Sequence, residues 1–536
     1  MPNKQIKISR MLKTALDHHG AGRVQQAEKL YREVLRNEKD HPDANHLLGV
    51  LAYQSGNINL AKSLITKAIE KNSGEFSYYC NLGLVLQEKG EMNQAITAFR
   101  RSIHIQPFQS EAYYNLGNVL LKVENYADAL SVFSQAYKVE PHNAKALNGI
   151  GNALTALGRH EEAITAYQGA LQIYPNYDDA RYNLGKAYQE LGNYEEAEKV
   201  YRLVLENKPD LSSAYNNLGV IQRAQCRMDE AETSYMRAIK NDPEQPKLYV
   251  NLGEVLLHQG RTEDAVESYK KALAIDPSYT PAIWGELLSL PVLYESITQI
   301  KHTRDTWFEG LNKLLTVIDL TSDKGIRDAK DAASMFTNFY LNYQGCNDKS
   351  AQALYGRLLT RIAYAAYPEV QVPKDVADNG PSSKIRVGFV SSCFYNHSIF
   401  KTHGQWITKL SQKDFDVSVF YLGHIRDWAT EEIASRANRF VSTQEIDELI
   451  SSISSGQLDV LVYTDLGMEP RLQLISALRL VPVQCNGGGH PVTSGLPTID
   501  YFLGSDLMEP QDGCGHYTEE LVRLPNLASS YPYPQV

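Results

Sequence analysis

Small and large apolar positions alternate through the first half of the chain with a single long period. Ala27, Ala61, Ala95, Ala129, Ala163, Ala197, Ala231 and Ala265 stand 34 residues apart. Four residues after each comes a large side chain: Tyr31, Ile65, Phe99, Phe133, Tyr167, Tyr201, Tyr235 or Tyr269. An interval of four puts both residues on one helix face, and the small one lets a second helix approach closely. Glycines keep the same period at Gly49, Gly83, Gly117, Gly151, Gly185, Gly219 and Gly253, each preceded by Leu or Ile. Pro107, Pro141, Pro175, Pro209, Pro243 and Pro277 mark the junctions, where proline stops one helix before the next begins. The pattern predicts an α-solenoid of about eight helix-turn-helix units over residues 8–279.

Beyond Tyr279 the register is lost. Residues 280–367 read as a helical cap and connector, with helices such as Trp307 to Val317 and Ala351 to Tyr364, and residues 368–383 as a Pro, Gly, Asp and Ser linker. From residue 384 to 536 the hydrophobic runs shorten to strand length. Lys384 to Ser391, Phe415 to Leu422, Leu458 to Thr464 and Val481 to Cys485 alternate with helical stretches at Thr402 to Leu410 and Pro470 to Leu480. That alternation predicts a parallel, doubly wound α/β lobe of Rossmann type, in which ligands bind beyond the carboxyl ends of the strands. Chemistry is therefore expected in the loops after Ser391, Thr464 and Cys485.

Composition narrows the reading. A formal net charge of −10 argues against a nucleic-acid surface. The six cysteines have neither C-x-x-C spacing nor the density of a disulfide framework, which fits a reducing cytoplasm. No run of 18 apolar residues suggests a membrane span, and no G-x-x-x-x-G-K-[ST] or G-x-G-x-x-G element is present.

The helical period, its Ala and Gly positions and its prolines resemble tetratricopeptide repeats. In the second half, SSCFYNH (Ser391 to His397), DLGMEPR (Asp465 to Arg471), ALRLVPVQ (Ala477 to Gln484), GHPVTSGLPTIDYFLGSD (Gly489 to Asp506) and HYTEELVRLP (His516 to Pro525) resemble the protein O-linked N-acetylglucosamine transferases, including their Spindly-like branch. The resemblance implies a tetratricopeptide array joined to a GT-B-type glycosyltransferase of two lobes. It implies inverting, metal-independent transfer from a nucleotide-sugar such as UDP-GlcNAc, acting as co-substrate, to Ser or Thr hydroxyls of proteins. On that reading His397 is the catalytic histidine of the cleft, Arg479 precedes the PVQ strand, and Gly489, His490, Thr493 and Ser494 form the loop facing the sugar. His403, Cys393 and Asp465 are expected to be structural. An imidazole can take or share a hydroxyl proton near neutral pH. A glycine-rich loop before a helix offers backbone N–H groups to an anion. The NGGG stretch, Asn486 to Gly489, departs from the family's usual apolar residue before the last glycine. The family's second lobe, which holds most of the donor diphosphate, is expected to lie outside these residues, so that transfer by the first lobe alone is expected to be impaired.

Two residues before the repeating glycines stand Asn81, Asn115, Asn183, Asn217 and Asn251. Asn is a weak helix former, so its recurrence at one helical position calls for a role. An amide can pair with a peptide backbone without reading its side chains. These positions are therefore candidates for a peptide groove holding protein substrates; the alternative is that the amides only join neighbouring repeats. The competing reading of the whole chain is a non-catalytic scaffold whose repeats bind protein partners.

Overall fold

The computed structural model describes residues 2–370, 384–490 and 492–525. Most of the expected linker (371–383) and the end of the last segment (526–536) lie outside the described residues. The chain divides into two compact units, residues 1–209 and 210–536.

The first unit is a stack of helix pairs, from Pro2–Gly20 with Val24–Asn37 to Asp178–Glu190 with Tyr194–Asn207. The periodic alanines Ala27, Ala61, Ala95, Ala129, Ala163 and Ala197 are all fully buried. Each repeating glycine seats the large side chain of its own pair. A Cβ on Gly83 would lie 2.6 Å from the Phe99 ring, one on Gly117 2.6 Å from Phe133, and one on Gly151 2.4 Å from Tyr167. Phe133 is gripped from both sides, because a Cβ on Gly149 of the next pair would also lie 2.6 Å away. The turn inside each pair passes through left-handed backbone at Gly22, Gly56, Gly90, Gly158 and Gly192, but Glu124 fills the equivalent position with φ 60°. Glycine takes that conformation without a Cβ penalty.

The second unit begins with two more pairs of the same kind, Ser212–Ala224 with Met228–Asn241 and Pro246–His258 with Thr262–Ile275. Connector helices follow at Thr280–Leu288, Ile297–Val317, Asp323–Met335 and Lys349–Ala366. The lobe beyond them is a parallel sheet of seven strands: β1 Ile385–Ser391, β2 Phe415–Leu422, β3 Arg439–Thr443, β4 Val460–Tyr463, β5 Val483–Asn486, β6 Tyr501–Ser505 and β7 Glu520–Leu524. Their order, β3-β2-β1-β4-β5-β6-β7, reverses between β1 and β4, which places the crevice of a doubly wound fold there. Helices Ser398–Thr408, Trp428–Arg436, Ile446–Ser454 and Pro470–Ser476 make the crossovers up to β5. Val387, Phe389, Val417 and Val419 pack on one face of the sheet, and Val390, Phe420, Leu461 and Tyr463 on the other.

Among the described residues after the glycine-rich loop the expected helix is not there. The connector helix Lys349–Ala366 packs directly against the described stretch between β5 and β6. A Cβ on Gly356 would lie 2.2 Å from the Gly495 carbonyl oxygen, and one on Gly495, at φ +71°, 2.0 Å from that of Gln352. A helix supplied from upstream thus covers a crossover that carries none of its own among the described residues.

Candidate functional site at the carboxyl edge of the sheet

The loops after β1, β4 and β5 converge at the switch point, and two buried polar groups and one glycine hold them. Asp465, after β4, is fully buried and accepts hydrogen bonds from Ser392 N (2.9 Å) and Ser392 Oγ (2.6 Å) in the loop after β1. Burial pushes its carboxyl above the usual range, while the Ser392 bonds oppose that rise. His403, in the helix after β1, is buried, and burial lowers its basicity. Its Nε2 lies 2.9 Å from the Gly487 carbonyl oxygen, which can only accept, so Nε2 carries a proton, and Nδ1 lies 2.7 Å from the Thr402 hydroxyl. Gly489 completes the junction: a Cβ there would lie 1.9 Å from the Thr464 carbonyl oxygen, so only glycine lets the two backbones meet.

His397 caps the helix Ser398–Thr408, with Nδ1 accepting from Ile399 N at 3.2 Å. With Nδ1 occupied as an acceptor, the neutral ring carries its proton on Nε2. That atom presents a donor, which suits orienting a hydroxyl or phosphate oxygen better than removing a proton. The ring is half-buried beside Tyr395, with centroids 5.4 Å apart.

His490 lies 23 residues after Gly467 and is 5% exposed. Its ring packs 4.8 Å from that of Phe339 and lies 2.8 Å from Asn342 Nδ2 through Nε2, so it pins the lobe to the connector. Burial pulls its pKa down to about 4, leaving it neutral at physiological pH. Thr493 and Ser494 turn their hydroxyls to the buried Glu519 carboxylate, which also accepts Ser494 N at 2.7 Å.

Two expectations need correction. Arg479 is not brought to this edge. It forms an ion pair with Asp500, just before β6, and bonds the carbonyl of Pro482, just before β5, so it braces the amino-terminal ends of those strands. The glycine-rich loop does not present a row of open N–H groups either. Gly487 N donates to Tyr463 O at 2.7 Å, continuing the pairing of β5 with β4, and Gly488 N donates to the Asn486 side chain, Oδ1, at 3.1 Å.

The asparagine series is engaged between repeats. In the first unit Asn81 Nδ2 lies 2.8 Å from the His46 ring, and Asn183 Nδ2 donates to Asn148 (3.2 Å) and Asn152 (3.0 Å). In the second unit Asn251, buried, donates to Asn216 at 2.8 Å. Asn115 and Asn217 are half-buried. Asn81, Asn183 and Asn251 therefore each direct amide hydrogens to the preceding repeat.

Asp465, His403 and Glu519 were not singled out as site residues from the sequence. Asp465 follows a strand at a loop already marked for chemistry, a usable signal; nothing local announces Glu519.

Fold and geometry together define a stack of helical repeats followed by a Rossmann-type lobe with a polar junction at its switch point. Residues 18–82, 76–109, 114–178, 154–219 and 210–278 match tetratricopeptide repeat families, and residues 345–528 match glycosyl transferase family 41. The chain thus joins segments that match tetratricopeptide repeats to a segment that matches glycosyl transferase family 41. It is 28% identical over 205 residues to the probable UDP-N-acetylglucosamine–peptide N-acetylglucosaminyltransferase SPINDLY of Arabidopsis thaliana, covering 37% of this chain and 22% of that protein. To the probable enzyme SEC of the same plant it is 26% identical over 164 residues, covering 30% and 17%. The chain thus spans about a fifth of the length of these curated relatives. An O-GlcNAc transferase mutant of Thermobaculum terrenum superposes with a TM-score of 0.45 at 23% identity, covering 66% of this chain and 58% of that one. Among the described residues no helix is long and apolar enough to cross a membrane.

Proposed function

We propose that this protein works in the transfer of a sugar from a nucleotide-sugar to Ser or Thr hydroxyls of polypeptides, with the repeats selecting the polypeptide and the α/β lobe forming one wall of the cleft. The observation that carries the reading is the family 41 match lying over a lobe whose switch point gathers His397, the Asp465–Ser392 junction and the tightly packed Gly489. His397 Nε2–H serves as an orienting donor to the acceptor hydroxyl or a donor phosphate. His490, neutral and buried, and the Glu519-held Thr493 and Ser494 shape the loop behind the sugar. Chemistry of this kind draws on fixed donors aimed at developing charge. The nucleotide-sugar is the co-substrate, no metal is invoked, and the cytoplasm is the expected setting.

The test is transfer of label to lysate proteins from radiolabelled UDP-N-acetylglucosamine and, in parallel, GDP-fucose. Labelling that falls at least tenfold in His397→Ala supports the reading. Binding of peptides without transfer from either donor favours the scaffold alternative, to which the engagement of Arg479, Thr493 and Ser494 in internal bonds lends support. For the groove, Ala at Asn115 and Asn217 is expected to weaken peptide capture; unchanged capture removes the amides from the reading.

A further inference from the structure

Within the second unit, the last repeat and the connector line a partly open cavity of about 110 Å³. Its walls are mostly aromatic and aliphatic, including Trp284, Trp307, Phe336, Tyr355 and Leu290. The rings already pack on one another: Trp284 stacks on Phe336 at 6.4 Å and meets Tyr355 edge-on at 5.9 Å. Glu254 and His258, from the helix Pro246–His258, also line it. Glu254 is buried and paired with Arg223, while burial and the Arg223 charge lower the basicity of His258. Apolar cavities of about 150 Å³ bind benzene-sized molecules, so this space is of the right order for one small ring. An apolar wall with a few acceptors is the usual build of a small-molecule site.

The cavity wall continues into the catalytic lobe. Met335, Phe336, Thr337 and Tyr340 line the cavity. From the same short segment Thr337 Oγ1 donates to the Gly467 carbonyl at 3.2 Å, Phe339 packs on His490, and Asn342 bonds the His490 ring. Gly467 itself backs onto His490, since a Cβ there would lie 3.0 Å from Nδ1. Residues 335–342 therefore touch the cavity on one side and His490 on the other.

We propose that this cavity binds a small aromatic molecule carrying one hydroxyl or N–H donor, its ring among the tryptophans and its donor toward Glu254 and His258, and that occupancy is transmitted to His490 through residues 335–342. Binding changes the seating of Phe336 and Tyr340, and the Thr337 and Phe339 contacts carry that change onward. Such coupling requires the ligand to favour one of two arrangements of the segment.

Phenol is the probe, and toluene is the same shape without the donor. Ligand-observed NMR and calorimetry on the whole protein are expected to show saturable phenol binding, about tenfold tighter than toluene, with a shift of the His490 imidazole resonance at saturation. Leu290→Phe, which fills the cavity from its loop, is expected to abolish phenol binding while leaving the melting temperature unchanged or higher. Thr337→Val is expected to keep phenol binding and reduce the His490 shift. Absence of saturable binding, equal binding by Leu290→Phe, or toluene binding as well as phenol overturns the site. A His490 resonance that stays fixed at saturating phenol overturns the coupling.

Discussion

The same substitution at two helical glycines is expected to change stability in opposite directions. Ala is preferred to Gly in a helix interior by about 1 kcal/mol, so propensity alone predicts stabilisation at both. At Gly169 the new methyl meets only the end of a leucine side chain, Leu147 Cδ1, at 3.3 Å, and a small rotation relieves it. Gly169→Ala is expected to stabilise the protein by about 0.5–1 kcal/mol. At Gly117 the methyl lies 2.6 Å from two atoms of the Phe133 ring, about 1 Å inside ordinary contact. The ring cannot retreat, because Gly149 approaches its other side equally closely. Overpacking of a rigid core site costs about 1–3 kcal/mol, which offsets the propensity gain of about 1 kcal/mol and leaves a net loss of up to about 2 kcal/mol. Urea unfolding followed by circular dichroism, with hydrogen exchange in the helix Ser110–Lys122, measures both variants. Adding Phe133→Leu to Gly117→Ala should recover part of the loss, a coupling between touching residues. Equal stabilisation by both alanines would refute the idea that the glycine period exists to seat aromatic rings.

Two further outcomes are expected. Glu124→Gly should stabilise the first unit by about 1 kcal/mol, because Glu124 holds the left-handed turn position that glycine fills in its neighbours; a loss in melting temperature would contradict it. His46 and His490 have pKa values lowered by burial from 6.5 to about 4. The unfolded chain therefore takes up protons that the folded chain refuses, and stability falls as pH drops from about 6.5 towards 4. Each histidine contributes on the order of 3 kcal/mol across that window. His46→Gln in the first unit and His490→Gln in the second should each flatten the acid limb of a stability-versus-pH curve. An unchanged slope in both variants would exclude these rings as its source.

The repeats and the parallel sheet were legible because each rests on a period: 34 residues for the helix pairs, strand-length runs for the lobe. β3, β6 and β7 were harder to see, since Arg439–Thr443 is short and half-buried and, among the described residues, the last two strands follow segments without α-helices. The candidate site was located from the rule that ligands gather where parallel strands end. Its wiring was not. Arg479 looked available until Asp500, 21 residues on, proved to be its partner, and the Glu519 bonds to Thr493 and Ser494 span 25 or 26 residues that no local pattern connects. The asparagines stood out by their period, yet the partners of Asn81, Asn183 and Asn251 lie one repeat back, a distance visible only after folding.

Because helix Lys349–Ala366 shields the stretch between β5 and β6, the boundary suggested by a composition change near residue 370 is a poor place to cut the gene. A fragment starting at residue 384 would leave Leu496 and Ile499 wet and should precipitate on expression, whereas one starting ahead of residue 349 keeps their shelter. On the ribosome the problem solves itself, since the shielding helix emerges before the strands that need it.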